Sequence, residues 1–223
     1  MCAGDPVPRG MSMAFSEQIW PVSYSLQLRD FVPPPIVDFA SVLEARRSIG
    51  TLERAPFREL CNLVNFVCSD RKSWGKNLRR SWRTAPSAGA LHPIEVLIVS
   101  TKGSHRIFRF NARLQTIELL RLHSVVLAAD VLRQARTILP QATGDFIVLL
   151  ADPAKTEAAY VHAQSLLWRD AGALMQTLQL AATAFRLSFC PIGATGCGLA
   201  PAIFGPDPRM RAVGMAAVGR PAA

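Results

Sequence analysis

The stretch Thr84-Ala85-Pro86-Ser87-Ala88-Gly89-Ala90-Leu91-His92-Pro93 links a basic segment to an apolar run, Ile94 to Val99, and its residue types suit a binding turn. Pro86 and Pro93 fix φ and withhold their N–H groups. Ser87 offers a hydroxyl that can donate and accept. Ala88, Gly89 and Ala90 carry almost no side chain, so a flat ligand can approach the backbone closely. The same residues also suit an ordinary turn before a strand. Three other groups have chemistry to offer. Arg46-Arg47-Ser48 supplies two guanidinium groups and a hydroxyl, although by itself it reads as cations answering a helix dipole. Pro191-Ile192-Gly193 is a turn after a helix. Tyr160 and His162 are a phenol and an imidazole able to serve as acid or base, and Tyr160 equally suits packing. Cys190 has no identifiable partner base and reads as a buried thiol.

These groups need elements to hold them. Trp20 to Leu28 alternates loosely, as an edge strand does, and Pro33-Pro34-Pro35 excludes a helix. Asp38 is placed to cap a helix running to about Arg47, with Gly50 as its stop signal. Ala55-Pro56 opens a second helix, with Leu60, Leu63, Val64 and Val67 on one face. Arg71 to Arg83 holds six Lys/Arg together with Trp74 and Trp82. That mixture occurs on nucleic-acid surfaces and, more commonly, in solvated loops with amphipathic anchors. Ile94–Ser100, Arg106–Phe110 and Thr116–Leu122 read as strands, the first two joined as a hairpin after Lys102-Gly103. Val125–Ile138 is expected to be helical and Pro140 to stop it. Asp145–Ala151 is a wholly apolar strand of the kind buried on both faces. A long helix is expected from Lys155 or Glu157 to Phe185, with Leu167, Ala171, Leu174, Leu178, Ala181 and Phe185 as its apolar stripe. Ala212–Val218 is a last strand. Strands and helices alternate irregularly, which favours α+β over repeated βαβ units.

The totals narrow the classes. The chain has 223 residues, of which 50% are hydrophobic and 18% charged, enough for a substantial core. Its net charge of +9 permits acidic partners, nucleic acid or a phosphorylated cofactor, and selects none of them. Five cysteines without a Cys-x-x-Cys, and four scattered histidines, argue against a zinc site or a disulfide framework and suit reduced thiols. No apolar signal region is visible near the start. The apolar stretch 163–185 carries Arg169, Asp170, Gln176 and Gln179, too polar for a membrane span. A cytoplasmic location without membrane association is the expectation.

Four segments taken in order carry a resemblance: Arg46-Arg47-Ser48; Arg83 to Pro93; Arg169-Asp170-Ala171-Gly172-Ala173-Leu174-Met175-Gln176; and Cys190-Pro191-Ile192-Gly193. Together, over about residues 35–220, they resemble the nitroreductase-like flavoproteins. Within that fold they are most similar to the SagB-type dehydrogenases, which oxidise thiazoline or oxazoline rings in ribosomally made peptides. The resemblance implies an α+β fold with a central, mostly antiparallel sheet flanked by helices and a long buried helix at a homodimer interface. Residues 31–223 would form the FMN-binding domain and residues 1–30 a partly flexible extension. Arg46, Arg47 and Ser48 would hold the FMN phosphate and ribityl chain, with Arg220 reaching the phosphate. Pro86, Ser87, Ala88 and Gly89 would lie along the flavin from the partner subunit. Pro191, Ile192 and Gly193 would bring a backbone N–H to the flavin N5, where hydride arrives.

Two departures from the family pattern stand out. Gly50 occupies a position where members commonly carry a basic ring contact. Tyr160 lacks the lysine that precedes it in ring-oxidising members, and Lys155 lies five residues earlier. The resemblance implies natural-product biosynthesis, with a peptide or small-molecule substrate and biosynthetic partner proteins. The segment 71–83 would attract an acidic leader peptide. The alternatives are an NAD(P)H-dependent nitro or quinone reductase and a flavin-less scaffold that binds a peptide or protein. A nucleic-acid binder is the weakest reading, resting on one basic cluster.

Overall fold

The computed structural model describes residues 4–102 and 106–222, so Cys2 and the Gly103 turn lie outside the described residues. The elements in chain order are β1 (Val7–Pro8), β2 (Val22–Gln27), α1 (Phe39–Ala45), β3 (Leu52–Glu53), α2 (Phe57–Cys68), β4 (Lys72–Trp74) and β5 (Arg80–Trp82). A single 3-10 turn follows at Ala88–Ala90, and then β6 (Ile94–Val99), β7 (Ile107–Asn111), β8 (Thr116–Leu120), α3 (Val125–Ile138) and β9 (Asp145–Ala151). The chain closes with α4 (Pro153–Glu157), β10 (Tyr160–Val161), α5 (Gln164–Ala184), β11 (Ser188–Ile192), α6 (Leu199–Phe204) and β12 (Arg211–Pro221).

The main sheet runs β11-β12-β9-β6-β7-β8-β2, with β3 paired to the end of β12, and every one of these strand pairs is antiparallel. Its centre explains the apolar run of β9. Ile147, Leu149 and Ala151 join Ile94, Val96 and Ile98 on the face covered by α2 and α5. Phe146, Val148 and Leu150 join Leu97 and Val99 on the face covered by α3 and α6. Successive side chains alternate between the two faces, so a strand in the middle of three layers must be apolar throughout. The expected edge strand is β2, and the expected hairpin is β6–β7.

Local signals place the helices. Asp38 accepts from the Ser41 N–H at 2.9 Å and caps α1, which ends at Ala45, before Arg46. Leu60, Leu63, Val64 and Val67 of α2 are fully buried.

Two expectations fail. Residues 71–83 form the β4–β5 hairpin instead of a loop. The helix expected from 155 or 157 is broken into α4, β10 and α5, because β10 pairs with β1 and His162 adopts φ +54. The stripe Leu167, Ala171, Leu174, Leu178 and Ala181 is buried in the protomer's own core, which leaves it no surface to offer a second copy. What α5 exposes is the opposite side, with Trp168 at 57% exposure, while neighbouring α1 exposes Phe39 at 66% and Leu43 at 47%. Among the described residues no helix is long and apolar enough to cross a membrane.

Candidate active site

The turn at Thr84–Pro93 is built on a carboxylate from α5. The Ser87 hydroxyl donates to Asp170 Oδ2 at 2.5 Å, and the Ala88 N–H donates to Asp170 Oδ1 at 3.0 Å. Ser87 Oγ also accepts from the His92 N–H at 2.9 Å, closing the turn on itself. Gly89, Ala90 and His92 all have left-handed backbone, with φ of 57°, 56° and 49°. Three such residues in four are tolerated because the carboxylate and the serine fix both ends of the turn. The His92 ring is buried and lies 2.9 Å from the Ser81 carbonyl, so Nε2 carries the proton and donates. Burial and the nearby Arg83 guanidinium bring its pKa down to about 4. Burial pushes the Asp170 carboxyl above its usual value, against the two bonds it receives from Ser87 and Ala88.

The basic hairpin supports this turn. Arg80 donates to the Gly89 carbonyl. Arg79 and Arg83 converge on Asp70 at 2.6 and 2.7 Å. Burial opposes the Asp70 charge, but Arg83 with the surrounding hydrogen bonds outweighs it and holds the carboxyl below its ordinary value. Part of the charge that suggested a nucleic-acid surface therefore serves structure.

Tyr160 comes to the same turn from β10. A Cβ placed on Gly89 would lie 2.8 Å from the Tyr160 hydroxyl and 2.7 Å from an Arg80 nitrogen. Tyr160 packs on Leu78, Leu91, Ala158 and Ala159 together with Phe15. Lys155, on α4, donates to the His92 carbonyl at 3.5 Å, and burial lowers its pKa.

The remaining predicted residues form a second group. Ser48 Oγ accepts from Gln179 Nε2 at 3.0 Å, and Gln179 also donates to the Phe189 carbonyl at 3.2 Å. This fastens the Arg46-Arg47-Ser48 segment to the start of β11, the strand that leads to Pro191–Gly193. Arg47 is exposed and Arg46 half-buried, and the Arg47 guanidinium donates to the carbonyls of Glu44 and Arg46. Gly219, beside Arg220 on β12, pairs with Ser188. From Ser188 to Pro191 is a three-residue step of roughly 10 Å along the strand. Arg220 thus lies beyond one end of β11 and the Pro191–Gly193 backbone at the other. Nothing lies within 4 Å of where a Gly193 Cβ would sit, so nothing in the protomer itself requires glycine there. Arg220 is bound to Glu59, with Nε donating to Oε2 at 3.2 Å, and must leave it to serve a phosphate. The Cβ of a side chain at Gly50 would lie 2.9 Å from a Leu139 methyl, so Leu139 uses the space of the absent basic residue.

The two groups do not face each other within one protomer. Asp170 and Gln179 are nine residues apart on α5. That is two and a half turns, so their side chains leave opposite sides of the helix, about 14 Å apart along its axis.

Asp170, Gln179 and Arg80 are site residues without an assigned role in the sequence reading. The signal for Asp170 and Gln179 was polarity inside an apolar helix, since a buried Asp or Gln there must have a partner; Arg80 stands among the cations of 71–83 with nothing local to single it out. Cys190 is buried as expected, and burial raises its pKa. Burial also pushes Cys61 and Cys68 up to about 12. Among the described residues there is no cluster of three potential metal ligands.

The sequence profile of the nitroreductase family matches residues 40–220. No curated protein matches the chain. Among solved structures, the chain is similar to a protein of Ralstonia eutropha JMP134 named as a nitroreductase, at 15% identity and TM-score 0.65, over 95% of this chain and 99% of that one. It is similar to a nitroreductase of that kind from Desulfovibrio desulfuricans in complex with FMN, at 18% identity and TM-score 0.54, over 84% and 88% of the two chains. It is also similar to a chain of the Escherichia coli microcin synthetase McbBCD complex with truncated pro-MccB17 bound, at 14% identity and TM-score 0.59, over 90% and 79%. At these identities the likeness is one of fold.

Proposed function

The chain belongs to the nitroreductase family, and from that premise we propose that it is an FMN-dependent oxidoreductase whose cofactor lies between two copies of the chain. The observation that carries this is the placement of the two groups on opposite sides of α5. Arg46, Arg47, Ser48 and Pro191–Gly193 of one copy would be completed by Pro86–Gly89 and Tyr160 of the other. The exposed Phe39, Leu43 and Trp168 give a second copy apolar surface to cover.

The residues fit the cofactor. Arg47, exposed and folded back on the Glu44 and Arg46 carbonyls, and the half-buried Arg46 offer guanidinium groups that could turn to a phosphate. The open space over Gly193 and the small side chains of Pro86–Gly89 leave room for a flat ring close to the backbone. FMN supplies two-electron chemistry when bound. The chain's own part is to bind, orient and handle protons. Asp170 holds Ser87 and Ala88 in position, and the Tyr160 hydroxyl, set against Gly89, is the group we assign to proton transfer.

We further assign the substrate to the SagB type, a peptide-derived or other natural-product intermediate that gives up hydride and a proton. The ordered motif from Arg83 to Pro93 and the fold likeness to the microcin synthetase chain support it. The deciding experiment is an absorption spectrum of the purified protein before and after FMN addition and desalting, followed by reduction with either NAD(P)H or an azoline peptide. Retained flavin reduced by the azoline peptide is the expected result. Reduction by NAD(P)H with turnover of a quinone would instead make the protein a nitroreductase-type enzyme, and a colourless protein would overturn the cofactor assignment.

A further inference from the structure

Residues 4–16 lie outside the span matched by the family profile, yet they dock on the chain beside Tyr160. β1 pairs antiparallel with β10, Val7 opposite Val161 and Pro8 opposite Tyr160. Beyond it, the Arg9 N–H donates to the Ala159 carbonyl and the Met13 N–H to the Ala158 carbonyl, both at 2.8 Å. The side chains contribute little. Val7 is 54% exposed, Met11 85% and Met13 53%. The side-chain anchors are Arg9, which donates to the Glu157 carbonyl at 2.9 Å, and Phe15, which packs on the same cluster as Tyr160 and lies under the Arg209 guanidinium. Among the described residues β1 is the one strand that pairs with β10, so without this segment the edge Ala158–Val161 presents unpaired main-chain groups. A cavity of about 570 Å³ lies between the segment and the chain, with Arg9, Met13 and Ala14 on one wall and Glu157, Tyr160 and His162 among the residues of the other.

This is how an extended peptide is held by strand addition: main-chain hydrogen bonds for affinity, few side-chain demands, and a cavity beside it for one side chain. We propose that the edge Ala158–Val161 is a binding groove for an extended polypeptide, and that residues 4–16 occupy it as an internal competitor. An incoming peptide displaces the segment, takes the carbonyls of Ala158 and Ala159, and brings a side chain into the cavity against Tyr160. That the peptide is also the substrate rests on the functional reading above; the groove itself stands on the hydrogen bonds.

The test uses a fluorescent peptide with the sequence of residues 4–16 and the full chain in two forms, the parent and an Arg9→Pro/Met13→Pro variant. Proline at those positions removes the two N–H donors of the segment and leaves the groove untouched. In the parent the tethered segment competes at an effective concentration of about a millimolar. The peptide should therefore bind the variant at least about tenfold more tightly, as read by fluorescence anisotropy. A second peptide, N-methylated at the Arg9 and Met13 amides, should fail to bind. That comparison is made on the parent as well, at millimolar peptide, so the result does not depend on the variant folding. Equal affinity of the peptide for parent and variant, no binding to either, or undiminished binding of the N-methylated peptide would overturn the proposal. Flavin retention is recorded separately by absorbance. A protein that binds the peptide but holds no flavin would refute the cofactor assignment and leave the groove standing.

Discussion

The Ser87 hydroxyl and the Asp170 carboxylate, 83 residues apart in the chain, share a hydrogen bond of 2.5 Å. The bond fastens the turn assigned to the flavin to the longest helix of the protein. Asp170→Ala leaves the Ser87 hydroxyl and the Ala88 N–H without their acceptor. Hydrogen bonds to a charged group contribute about 1.5–3 kcal/mol, so FMN should be held about tenfold to a hundredfold more weakly. Asp170→Asn keeps an acceptor and should lose less. Titration of FMN fluorescence on both variants checks this; FMN binding undiminished in Asp170→Ala would mean that the carboxylate does not hold the turn for the flavin, and equal losses in the two variants would mean that its charge cannot be replaced by a neutral acceptor.

Gly89 should not tolerate a side chain. Its φ of 57° and the 2.7 and 2.8 Å approaches to Arg80 and Tyr160 leave no space for a Cβ. Gly89→Ala is expected to lower stability by about 1–3 kcal/mol and to displace Tyr160 or Arg80. Urea unfolding reads the first effect and flavin retention the second.

Acid should destabilise the fold through His92. The ring stays neutral in the folded protein down to about pH 4, whereas the unfolded chain takes up its proton near 6.5. Between those values the unfolded state binds more protons. The contribution is complete above pH 6.5 and is lost as pH falls toward 4, by up to about 3 kcal/mol. His92→Gln, which keeps a donor for the Ser81 carbonyl, should flatten that part of the stability profile. Urea midpoints at several pH values for the two proteins provide the check.

Tyr160→Phe removes a hydroxyl and keeps the packing on Leu78, Leu91, Ala158 and Ala159. If the phenol moves the substrate proton, turnover should fall about 10²- to 10⁴-fold with flavin content and thermal stability unchanged. Turnover within a factor of a few of the parent would remove Tyr160 from the chemistry.

A site divided between two copies makes a distinctive prediction. Arg47→Ala damages one group and Asp170→Ala the other, so each variant alone should hold flavin poorly at both sites. Co-expressed with different tags and purified as the mixed dimer, they place both defects in one site and leave the other intact. The mixed dimer should retain one tightly bound FMN per pair. Flavin loss equal to that of the single variants would show that each copy carries a complete site.

The sequence by itself determined the elements whose residues repeat with a clear period. β9, α3 and the buried face of α2 stand where the pattern puts them, because alternation and the 3.6-residue repeat are set by backbone geometry alone. Asp38 as a helix cap was legible for the same reason, its partner being three residues away. The ordered motifs also identified the family, and with it which residues to inspect. Only the tertiary structure decided how those residues combine. Asp170 finds Ser87 across 83 residues, and Gln179 ties Ser48 to Phe189 across 131 and 10. No local pattern encodes such partners. The break at His162 was hidden because 157–185 is helical by composition, and what interrupts it is the pairing of β10 with a strand from the other end of the chain. Propensity weighs neighbours in sequence. Here the decisive hydrogen bonds come from residues that become neighbours only in the folded protein.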